Sequence, residues 1–178
     1  GQLYETTGVR ENQDILDHYI AVIEGKTGSL IAAAGEYGSL LADASEEVIQ
    51  MLATYGELVG VAFQLADDVI DIVSDGASSG KTQGTDLREG VPTLPTILLN
   101  RAAEAGDESA RQVRTLIEAD LSSDDALAAA VSALAAHPVT QEAWQIAYNW
   151  ADRAIAAIAP LPDSTAKAAL ESFAHAVV

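Results

Sequence analysis

The sequence contains no cysteine, so disulfides, a thiol nucleophile and thiolate metal ligation are excluded. Positive charge is scarce. Nine Lys and Arg stand against 27 Asp and Glu, a formal net charge of −18. No nucleic acid partner is expected, because such a partner needs a basic footprint, and an anionic lipid surface is disfavoured for the same reason. Beta-branched runs with strict alternation are also missing, which argues against sheet. There is no signal peptide and no apolar run long enough to span a bilayer, so no transmembrane segment is expected and a cytoplasmic setting is the default. What remains is a chain of 178 residues, 49% hydrophobic and rich in alanine. It is long enough for one sizeable helical core.

The most informative stretch is Phe63-Gln64-Leu65-Ala66-Asp67-Asp68-Val69-Ile70-Asp71. Apolar residues at Leu58, Ala62, Leu65, Val69 and Ile72 form one helical row, and Val59, Phe63, Ala66, Ile70 and Val73 form a second. Two adjoining apolar rows predict a mostly buried helix. Asp67 and Asp71, four residues apart, share a face, and Asp68 lies about 100° around the axis. Like charges at that spacing repel, and Asp is a poor residue inside a helix. A divalent cation reverses the balance, and hard oxygen ligands suit Mg²⁺, which also binds phosphate oxygens.

The rest of the chain reads as helices between punctuation. A helix ends near Gly8. The next is capped by Asn12 or Asp14 and buries Ile15, Leu16, Tyr19, Ile20 and Ile23. Gly25 interrupts it. Lys26-Thr27 opens a run from Leu30 to Leu41, whose small residues (Ala32, Ala33, Ala34, Gly35, Gly38, Ser39) allow close helix approach. Ser45 starts a helix of about 46–74. Residues 75–92 read as a Gly/Ser/Asp-rich loop, and a helix resumes with Thr93-Leu94-Pro95. Further helices are expected over 107–118, 123–136, 139–158 and 163–177. No boundary between domains is expected, so residues 1–178 read as part of one all-α domain.

Lys26 at a helix break, the three aspartates, and Lys81 in a glycine-rich loop form a set suited to a metal-bridged diphosphate. Taken singly, each has a plainer reading: a solvated lysine, an acidic helix edge, a surface turn. Gly80-Lys81-Thr82 is not a P-loop, because the upstream glycine is misplaced and no strand precedes it. In their order, Gly25-Lys26-Thr27, Phe63-Gln64-x-x-Asp67-Asp68-x-x-Asp71, Gly80-Lys81-x-x-Gly84-x-Asp86-Leu87 and Glu89-Gly90-x-x-Thr93-Leu94-Pro95 resemble the second half of a trans-type polyprenyl diphosphate synthase.

That resemblance implies an isoprenoid-synthase-type helical bundle, of which this chain is the C-terminal portion. The N-terminal half, with its first aspartate-rich motif, is absent from the sequence. It implies addition of isopentenyl diphosphate to an allylic diphosphate, with Mg²⁺ as cofactor. Asp67 and Asp71 would hold the metal with support from Asp68. Lys26 and Lys81 would bind the allylic diphosphate, Thr27 and Gln64 would face the developing cation, and Asp86 would orient Lys81 or a metal-bound water. The loop of 75–91 would close over the site. The resemblance also implies a homodimer, and no prenyl transfer from this portion alone. Val91 departs from the family, many of whose members have a lysine there. Two alternatives stand beside this reading: a non-catalytic helical subunit of a heteromeric synthase, and a terpene cyclase, which would not consume isopentenyl diphosphate.

Overall fold

Helix α1 (Gln2–Thr7) stops at Gly8, whose φ of 68° suits glycine. The computed structural model describes residues 1–74 and 83–178, and among the described residues every regular element is a helix. The all-α expectation holds. The chain divides into two units, residues 1–64 with 146–178 and residues 65–145.

In the first unit Asp14, not Asn12, caps α2 (Ile15–Ile23), its carboxylate accepting the N–H groups of Leu16 and Asp17. The buried face of α2 is His18, Val22 and Ile23. The predicted Ile15 is exposed instead, because the helix begins at that residue and its first turn faces out. Gly25 does not interrupt the run. A π-helical turn (Glu24–Gly28) joins α2 to α3 (Ser29–Leu41), absorbing one extra residue without breaking the helical path. Lys26 and Thr27 both lie in that turn.

The small residues of α3 meet α4 (Glu46–Val73) at backbone distance. A β-carbon on Gly35 would lie 2.6 Å from the Leu52 carbonyl oxygen, one on Gly56 2.6 Å from that of Ile31, and one on Gly60 2.8 Å from Gly28 Cα. Tyr55 and Val59 of α4 also pack with Ala154, Ile158 and Ala174. These come from α9 (Pro138–Ala157), the residue just beyond it and α10 (Thr165–Ala176). The Tyr55 hydroxyl donates to the Leu170 carbonyl at 2.8 Å.

By length and composition α4 could cross a membrane, which corrects the sequence expectation that no run is long enough. Its Val59, Val61, Ala62, Leu65, Ala66 and Val69 are buried in the protein, as in a core helix. Its second apolar row is only partly covered: Val59 and Ala66 are buried, whereas Phe63, Ile70 and Val73 are exposed.

In the second unit the segment expected to be loop contains a short helix, α5 (Thr85–Glu89), set between Gly84 and Gly90, both left-handed. Tertiary packing overrides a loop-like composition here. Leu87 joins Leu121, Leu127, Ala130 and Val131 in one apolar cluster. Arg88 reaches Asp124 at 2.6 Å. Then come α6 (Leu94–Glu104), α7 (Glu108–Ile117) and α8 (Asp124–Ala136). Asp107 and Ser123 cap α7 and α8 through their side chains.

Two predictions follow from this packing. Gly35→Ala and Gly56→Ala will each destabilise the protein by about 1–3 kcal/mol in denaturant melts, because the added carbon meets backbone that cannot yield. An unchanged or raised midpoint would contradict the close approach. Burial pushes the Tyr55 hydroxyl up to about 12, against about 10 when unfolded. The folded state then retains a proton that the unfolded state has lost, so stability will fall as pH rises above about 10. Tyr55→Phe removes that component, as stability measured against pH will show.

Candidate active site

Three of the sequence-predicted residues lie in the first unit. Lys26 projects from the π-helical turn, and both Glu5 carboxylate oxygens accept from its ammonium, at 2.8 and 2.9 Å. Thr27, next in the turn, donates its hydroxyl to Gln64 Oε1 of α4 at 3.2 Å. The structure therefore brings Thr27 and Gln64 together across 37 residues. With the hydroxyl proton directed at Gln64, the lone pairs of the threonine oxygen point away from it. Irregular π-helical turns within helices are frequent at functional sites.

The aspartates divide by role. Asp68 is buried at 5% exposure, and its Oδ2 accepts the N–H of Leu94 at 3.0 Å. Leu94 is the first residue of α6, where backbone N–H groups lack helical partners. Thr93 and Thr96 close the same terminus reciprocally, Thr93 N–H donating to Thr96 Oγ1 at 3.0 Å and Thr96 Oγ1 to the Thr93 carbonyl at 2.9 Å. Asp68 thus holds the start of a buried helix.

Asp71 is half-buried and accepts N–H bonds from Thr85 and Asp86, each at 3.3 Å, at the start of α5. Burial pushes its carboxyl above the usual range, and the charge of Asp86 adds to that. The two backbone bonds pull the other way, and the charge of Asp67 raises it again. Asp67, Asp71 and Asp86 thus share one negative field. Among the described residues no three acidic or imidazole side chains gather as a ready-made metal cage. Lys81 lies outside the described residues, as does the first part, 75–82, of the segment expected to close over the site.

Sequence reasoning missed Glu5 as the partner of Lys26. The pair spans 21 residues, and no local pattern points to it. Asp86 was noted, but not its contact with Asp71, because its segment reads as loop. His137 is a buried structural histidine: one ring nitrogen lies 3.0 Å from Ser109 Oγ and the other accepts the Val139 N–H.

Residues 1–134 match the family model described as Polyprenyl synthetase. The chain is 41% identical over 170 residues to nonaprenyl diphosphate synthase of Mycobacterium tuberculosis, covering 96% of this chain and 50% of that protein. It is 36% identical over 178 residues to octaprenyl diphosphate synthase of Escherichia coli, covering 100% and 54%. Among solved structures, geranylgeranyl pyrophosphate synthase of Corynebacterium glutamicum, complexed with calcium and isoprenyl diphosphate, superposes with a TM-score of 0.86 at 38% identity. That match covers 99% of this chain and 54% of the other. The chain spans about half the length of the curated relatives it matches.

The contact of Asp68 is testable by stability. Asp68→Ala leaves the buried Leu94 N–H without its acceptor and will cost about 1–3 kcal/mol in denaturant melts. Asp68→Asn keeps an acceptor and will cost less. An unchanged midpoint in Asp68→Ala would contradict the assignment.

Proposed function

The chain belongs to the polyprenyl synthetase family, and we propose that it provides part of the active site of a trans-prenyltransferase. The reaction joins isopentenyl diphosphate to an allylic diphosphate, with loss of diphosphate and a proton. The observation that carries this reading is the grouping of Asp67, Asp71 and Asp86 on and beside α4, where burial first, and then the charges of Asp86 and Asp67, push the Asp71 carboxyl above its usual range. A bound cation offsets such crowding of negative charge. Carboxylate oxygens are hard donors, so the set fits Mg²⁺.

Asp67 and Asp71 would hold the metal, which when bound neutralises the departing diphosphate. The other roles belong to the protein itself. The Asp71 carboxylate is oriented by the Thr85 and Asp86 amides. Lys26 would donate N–H bonds to the allylic diphosphate, as would Lys81, and their charge would favour its departure. The Thr27 oxygen, oriented by Gln64, would present lone pairs to positive charge developing on the allyl group. Asp68, which fixes the start of α6 through Leu94, would support the metal site from there. A homodimer and a cytoplasmic setting go with this reading. The dimer is supported by the exposed Leu30, Tyr37, Leu40 and Leu41 of α3 and its C-terminus.

The test is Mg²⁺-dependent incorporation of labelled isopentenyl diphosphate into allylic primers. It is run on this chain and on the full-length product of its gene. We expect incorporation by the full-length product, with kcat lowered by about 10²-fold or more in Asp67→Ala and Asp71→Ala. If neither sample consumes isopentenyl diphosphate, the reading is overturned in favour of a cyclase or a non-catalytic subunit.

A further inference from the structure

We propose that Glu5 is a positioning residue for Lys26: its carboxylate is the built-in counter-ion that the ammonium exchanges for a diphosphate. The inference rests on the reading of Lys26 as a diphosphate-binding residue.

Four observations carry it. First, the contact engages both carboxylate oxygens, at 2.8 and 2.9 Å. A lysine has three N–H donors, so Glu5 occupies two of the three that a phosphate group would use. Second, the pair joins separate elements held in place by a tight backbone contact. A β-carbon on Gly25 would lie 2.8 Å from Gly1 Cα. The Glu5 N–H bonds the Gly1 carbonyl one turn on, at 3.1 Å. The start of α1 is therefore seated on the π-helical turn, and that seating carries Glu5 to Lys26. The other described lysine and two of the arginines pair locally and less closely. Lys167 lies 3.5 Å from Asp163, Arg111 3.4 Å from Glu108 and Arg114 3.8 Å from Glu118.

Third, Lys26 is held in an ion pair, as are Arg88, Arg111, Arg114 and Lys167 among the described residues. An anion gains the Lys26 ammonium only by exchange with Glu5. Fourth, both side chains of the Lys26–Glu5 pair are about two-fifths exposed, at 40% and 44%. Pairs so exposed are worth at most about 1 kcal/mol. A diphosphate therefore displaces Glu5 at small cost, whereas a buried pair would resist exchange. Until then Glu5 keeps the ammonium extended and neutralised, and it lowers the apparent affinity of Lys26 for anions.

The test is calorimetric binding of inorganic pyrophosphate at fixed Mg²⁺ to the wild type, Glu5→Gln, Lys26→Ala and the double variant. Glu5→Gln is isosteric and frees Lys26. We expect it to bind pyrophosphate more tightly, by up to about fivefold. In the Lys26→Ala background the same substitution will change affinity little, so the two effects will be non-additive. A purely structural role for Glu5 would not raise affinity. Unchanged or weaker binding in Glu5→Gln, with Lys26→Ala weakened, overturns this inference alone. Unchanged binding in Lys26→Ala overturns the underlying reading of Lys26. An equal gain with and without Lys26 assigns the effect to general charge and also overturns the proposal.

Discussion

A carboxylate half-sunk in a helix needs a donor, and on α4 the donors are backbone amides at the starts of two later helices. Asp68 accepts from Leu94, and Asp71 accepts from Thr85 and Asp86. Each contact meets two needs at once. The carboxylate is stabilised in a poorly hydrated place, and an N-terminal amide gains a partner it cannot have within its own helix. The five-residue helix α5 is too short to persist through its own hydrogen bonds. It exists because Asp71 binds its amino end and Leu87 is anchored in the apolar cluster of α8. Gly84 makes the entry possible. Its φ is 73°, and Leu127 Cδ1 would stand 3.2 Å from a β-carbon there.

The same economy governs the first unit. Helices α3 and α4 pack through Gly35, Gly56 and Gly60 so closely that backbone meets backbone. Close approach increases dispersion contact for each residue ordered, at the cost of glycine in helix interiors. The contact at Gly60 reaches Gly28, at the end of the π-helical turn. The turn that carries Lys26 and Thr27 is thus fixed at one end by glycine packing on α4, and through Thr27 it reaches Gln64 on the same helix.

Helix positions were legible because they rest on local rules. Asp14, Ser123 and Ser164 cap where short polar residues precede apolar periodicity, and Pro160 and Pro162 separate the last two helices. The tight face of α3 was legible as a run of small residues. The π-helical turn was not, because Gly25 reads as a stop when only propensity is weighed. One extra residue within a helix shifts the apolar period without ending it. The helix α5 was not legible because its reasons for forming, Asp71 and the α8 cluster, are remote in sequence. The aspartate triplet was legible as a group, but its division was not. Spacing places Asp68 about 100° from Asp67, but only the fold brings the Leu94 amide to that side.

Charge balance links these local results. A surplus of carboxylates repels a diphosphate at long range, although that repulsion is screened beyond about 8–10 Å at moderate salt. Recognition must therefore be made at contact, by groups whose charge is locally uncompensated or can become so. Around Asp71, burial and the charges of Asp86 and Asp67 hold the carboxyl above its usual range, a setting in which a cation is favourable. Lys26 is compensated by Glu5 through a solvent-exposed pair weak enough to exchange. On the proposed function, the carboxylates answer to a metal ion and Lys26 to a diphosphate, each at contact, the diphosphate against the long-range field of a strongly acidic chain.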